Sequence, residues 1–130
     1  MSTFVLREIV NRVLTPLDAV VARLPELHVA FWSFKEVEFA FGRPFGIPLP
    51  DFERLSRELV GGFVVSDEDF REFLKGEFQL VDGVIEAYGS AAVLVRIDCE
   101  DASLWGIHAE QPEIIRALEE RELKRGLFPK

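Results

Sequence analysis

The sequence predicts an α+β fold: a mostly antiparallel sheet of about five to six strands, with helices packed on one face in two layers. Three observations carry this. Segments with apolar residues at alternate positions crowd the second half, separated by hairpin-length gaps. Segments with apolar residues three and four apart come before and after them, most with capping residues. The chain has 130 residues, the size of one domain, and at that size roughly two thirds of the unfolded surface can be buried. Residues 1–130 are therefore expected to form a single domain.

The elements follow in order. Leu6, Val10, Val13, Leu17, Val20 and Leu24 are spaced four and three apart, a helical stripe interrupted by Pro16. The expectation is two short helices, about 3–14 and 16–24, or one kinked helix. Thr15 would be the N-cap and Pro16 the first helical residue. The stripe suits core packing better than a dimer seam, because a proline lies inside it.

In "HVAFWSFKEVEFAFGRPFG" (28–46), Val37, Phe39 and Phe41 alternate with Glu36, Glu38 and Ala40. That pattern is a strand with one buried and one wet face. One regular strand over 28–41 would be about 46 Å long, so a hairpin or bulge is expected near Lys35-Glu36. "GRPFGIPLPD" is a loop. Asp51 would cap a helix that buries Phe52, Leu55 and Leu59 and ends at Gly61-Gly62. "FVV" reads as a short buried strand. Ser66 then caps a helix with Asp67, Glu68 and Asp69 in its first turn, Phe70, Phe73 and Leu74 inward, and Gly76 as its stop.

Four strands are predicted next. "EFQLV" and "VIEAY" flank Asp82-Gly83, a hairpin-turn pair, and "AAVLVRIDC" and "SLWGIHA" flank a longer loop at Glu100-Asp101-Ala102. A last helix opens at Pro112, packs Ile114, Ile115 and Leu118, and closes at Lys124, Arg125 and Gly126.

The net charge of -8 disfavours nucleic acid and anionic membrane surfaces, both of which demand clustered Lys and Arg. A basic protein partner is compatible with it. No run reaches the ~18–20 apolar residues of a membrane span, and Arg7, Glu8 and Arg12 break any signal-peptide core. The expected setting is cytoplasmic. Cys99 is the one cysteine, flanked by acids, and reads as an unreactive core residue.

No zinc, EF-hand, phosphate-loop or nucleophile-elbow motif is present, so neither cofactor nor metal is expected. Two acidic clusters are candidate partner-binding residues: Asp67, Glu68, Asp69 and Glu72, then Asp98, Glu100 and Asp101. A second candidate is one sheet face. Strand alternation points Glu86, Tyr88, Arg96, Asp98 and His108 away from the apolar side, a set that could do acid/base work or bind a ligand. The plain alternative for that face is a solvated surface with cross-strand ion pairs. Arg43, set between Gly42 and Pro44, could meet a carboxylate or phosphate.

"VRIDCEDASLWGIHAEQPEIIRALEER" (95–121) resembles the C-terminal module of several small acidic bacterial proteins, many uncharacterised and some immunity proteins of toxin–immunity pairs. The matching residues are Asp98, Asp101, Ser103, Trp105, Ile107 and the helix from Pro112. The resemblance implies a non-enzymatic binding protein that neutralises a basic toxin by covering its active site; a monomer or weak homodimer is expected. It supplies no catalytic residue.

Overall fold

A computed structural model describes residues 2–6, 9–10 and 13–124, with the side chains of 2–6 and 15–120. Its centre is a six-stranded sheet, antiparallel throughout, built from β1 (Ser2–Leu6), β4 (Phe31–Phe41), β5 (Phe63–Ser66), β6 (Gln79–Tyr88), β7 (Val93–Glu100) and β8 (Leu104–Ala109). The spatial order is β1-β8-β7-β6-β4-β5. A small separate pair joins β2 (Ile9–Val10) to β3 (Val13–Leu14). The helices are α1 (Leu17–Ala22), α2 (Leu49–Glu58), α3 (Asp67–Leu74) and α4 (Pro112–Lys124). The α+β class and the six-strand sheet agree with the sequence reading.

One sheet face is wholly apolar. Register places Phe4 beside Ile107, Ile107 beside Ile97, Ile97 beside Ile85, and Ile85 beside Phe34, a buried row across five strands. The helices cover this face with Leu17, Val20 and Val21 from α1, Phe52 from α2, Phe70 from α3, and Ile114, Ile115 and Leu118 from α4. Phe70 stacks on Trp32 at 3.9 Å between centroids, and Phe52 meets Phe34 edge-on at 5.4 Å. Side chains of this size contribute roughly 2–3 kcal/mol each on burial. Both tryptophan N–H groups find acceptors: Trp32 donates to Asp67 at 2.8 Å, and Trp105 to the Thr15 carbonyl at 2.7 Å.

The expected helix over 3–14 is replaced by strands β1, β2 and β3. The four-and-three spacing was real, but "STFVL" also alternates. Phe4 and Leu6 are buried, Thr3 and Val5 exposed, and β-branched residues favour the strand once β8 offers an edge. α1 begins with Pro16 as N-cap, without a side-chain cap, so Thr15 does not play that part.

Residues 31–41 form one bulged strand. Lys35 pairs with Val84 and Glu38 with Asp82, so β4 advances three residues while β6 advances two. Glu36 takes φ 49 there, and the inward positions change from Trp32 and Phe34 to Val37 and Phe39. α2 supplies acceptors to the adjoining backbone: Val37 N–H donates to Ser56 Oγ at 3.2 Å and Phe39 N–H to Glu53 at 2.8 Å. Phe41 does not join the core and is 52% exposed.

Asp82-Gly83 is not a turn. It lies inside β6, where Gly83 has φ 134 and a Cβ would collide with Val37. The turn signal marked the partner side of the bulge, so the meander has three strands instead of four. α2 starts at Leu49, two residues before Asp51, because Pro50 is tolerated in a first turn whose N–H groups need no partner. It buries Ser56, while Leu55 is half-buried and Leu59 exposed. β5 is an edge strand with Val64 exposed, contrary to a buried strand. Ser66 caps α3 as expected, accepting from Asp69 N–H at 3.1 Å. The closing residues Arg125 and Gly126, and the side chain of Lys124, lie outside the described residues.

Candidate functional site

Among the described residues no helix covers the opposite face of the sheet. Cross-strand partners there form a row through all six strands: Thr3, His108, Arg96, Glu86, Ser33 and Val64. Tyr88 and Asp98 lie on the same face, two residues along from Glu86 and Arg96. The predicted set Glu86, Tyr88, Arg96, Asp98 and His108 is therefore brought together.

Within the set, two hydrogen-bonded groups form. His108 Nε2 lies 2.7 Å from Asp98 Oδ2, and Nδ1 lies 3.0 Å from Thr3 Oγ1. A carboxylate only accepts, so Nε2 carries the proton, and in the neutral ring Nδ1 accepts from the Thr3 hydroxyl. Gly106 sits opposite Asp98, and a Cβ there would occupy the place of the carboxylate. In the second group Lys35 Nζ lies 2.5 Å from Glu86, and Tyr88 donates to Glu86 at 3.0 Å. The Glu86 hydrogen bond, opposed by burial, raises the Lys35 pKa above its ordinary value, with Tyr88 adding to the rise. Phe31 stacks on Tyr88 at 4.7 Å. Arg96 between the groups is exposed and makes no ion pair among the described residues.

The two predicted acidic clusters separate. Asp67, Glu68, Asp69 and Glu72 belong to α3, in the helical layer. Asp67 is engaged by Trp32 and by Arg71 at 3.3 Å, and Glu72 by Lys75 at 2.9 Å. Asp98 and Glu100 lie at the open face. They meet Glu36, Glu38 and Asp82 around a shallow depression of about 510 Å³ that no basic residue lines among the described residues. Asp101 closes the β7–β8 turn, and its N–H donates to Asp82 at 3.1 Å. Sequence reasoning missed Glu36, Glu38 and Asp82 as members. Two were read only as the wet side of a strand and the third as a turn residue; the bulge is what turns them toward β7.

Cys99 is buried beneath this depression, its thiol 3.8 Å from the Leu80 carbonyl, and burial pushes its pKa up to about 11. Among the described residues no group of three or more His, Cys, Asp or Glu is placed to hold a metal ion. No helix among them is long and apolar enough to cross a membrane. No protein-family model, curated protein or solved structure matches the chain.

Proposed function

We propose that the protein is a non-enzymatic binding domain whose open sheet face receives a basic protein. In the setting that the C-terminal resemblance implies, this is a bacterial immunity-type protein neutralising a cognate basic toxin. The observation that supports the reading is the group of five carboxylates, Glu36, Glu38, Asp82, Asp98 and Glu100, drawn from three adjacent strands on the uncovered face. Such a field steers a cationic partner and raises the association rate in a salt-dependent way. Half-buried Tyr88 and Phe31, stacked on one another farther along the same face, offer an apolar anchor.

The test is association with candidate basic proteins encoded by neighbouring genes, followed by stopped flow at several salt concentrations. Reversing Glu38, Asp82 and Glu100 to lysine should slow association by about tenfold or more and flatten its salt dependence. Unchanged kinetics in that variant, or a loss confined to α3 reversals at Asp69 and Glu72, would overturn the reading.

A second reading is favoured by the Thr3–His108–Asp98 chain, which orders a hydroxyl, an imidazole and a carboxylate as acid/base sites do. On this reading the face binds and transforms a small ligand. Replacing His108 by alanine should then abolish any activity discovered for the protein, and retention of activity would exclude it.

A further inference from the structure

On the other side of the sheet, a groove of about 640 Å³ lies between the turn at Pro44–Gly46, α3 and residues 76–78. Its floor is aromatic. Phe45, Phe73 and Phe78 stack in sequence, with centroids 5.1 and 4.3 Å apart. All three rings are only half-buried, so folding leaves part of each accessible. The rim is anionic. Asp69 and Glu77 are exposed and make no ion pair among the described residues, whereas Glu72 is taken by Lys75. Arg43 also lies on the rim, and its Nε donates to the Gly46 carbonyl at 3.0 Å.

Stacked rings beneath unpaired carboxylates match a cation on an apolar stem. The carboxylates pair with the charge, and the stem lies along the accessible parts of the phenyl groups. Guanidinium suits this best, since it is planar, weakly hydrated and forks to carboxylates. We propose that this groove is a docking site for an arginine-bearing, otherwise apolar segment of a partner protein. The site is independent of the open sheet face and does not rest on the reading given for it.

The experiment uses the full chain, isotope-labelled for NMR, titrated with a blocked heptapeptide of alternating arginine and leucine. Saturable shifts confined to residues 43–46 and 69–78 are expected, with none from the peptide carrying glutamate for arginine. The double variant Asp69→Lys/Glu77→Lys, checked for an unchanged circular dichroism spectrum, should weaken binding by about tenfold or more. Asp82→Lys/Glu100→Lys on the opposite face should leave the affinity unchanged. The proposal fails if the shifts map to the open face, if the glutamate peptide binds equally, if Asp69→Lys/Glu77→Lys keeps full affinity, or if no saturation occurs by millimolar peptide.

Discussion

Gly106 shows how the absence of a side chain organises its neighbours. It faces Asp98 across the β7–β8 ladder, and the empty space lets that carboxylate lie over β8 and reach His108. Gly106→Ala should displace Asp98, separate it from His108 and cost about 1–2 kcal/mol in urea unfolding. Imidazole-edited NMR should also show the Nε2–H tautomer giving way to a mixture. Cys99 has a different consequence. Its folded pKa, about 11, lies above the ordinary thiol value, so the folded state holds the thiol proton more tightly. That contribution is complete below about pH 8.5 and is lost as pH rises through the folded value. Between pH 8 and 11 the wild type should therefore lose stability faster than Cys99→Ala, by on the order of 2 kcal/mol. Parallel urea titrations measure the difference.

Among the elements, α3 was the most legible because its signals are local and agree. Ser66 caps it, three acids meet its positive end, and Phe70 seals it to Trp32. Ser66→Ala should cost about 1 kcal/mol, read from the shift in urea midpoint. β7, β8 and α4 were legible for the same reason, and with them the alternation that gathers Glu86, Tyr88, Arg96, Asp98 and His108. β1 was not. Its last residue, Leu6, opens the helical stripe while its five residues also alternate as a strand, and the free edge of β8, distant in sequence, decides between them. The β4 side of the bulge was anticipated as one of two options near Lys35-Glu36, but its β6 side was hidden: Asp82-Gly83 has turn chemistry, yet the positive φ at Gly83 serves a close approach to Val37. The acidic depression escaped with it, since its membership depends on that one inserted residue.

At the scale of the whole molecule, a net charge of -8 is unevenly spread, with five carboxylates around one depression on the open face. Crowding like charges there opposes folding, and salt relieves it. Going from about 0.01 M to 0.1 M NaCl shortens the Debye length from about 30 Å to 10 Å. The Tm should rise by roughly 3 °C in calorimetry, an increase that the triple reversal Glu38→Lys/Asp82→Lys/Glu100→Lys should remove. Such a cost, retained at one place on the surface, is what a domain specialised for a basic partner would carry.

The seat of β1 at the outer edge of β8 has one more consequence. Residues 2–6 are made long before the strand they pair with: among the described residues their sheet neighbours are residues 105–109. Phe4 and Leu6 must therefore wait, uncovered, until nearly the whole described chain has been made. The β6–β7–β8 meander, closed by short turns, can assemble early because its loop entropy is small. β1 can join only afterwards. The strand that comes earliest among the described residues thus has its partner only once residues 105–109 are available.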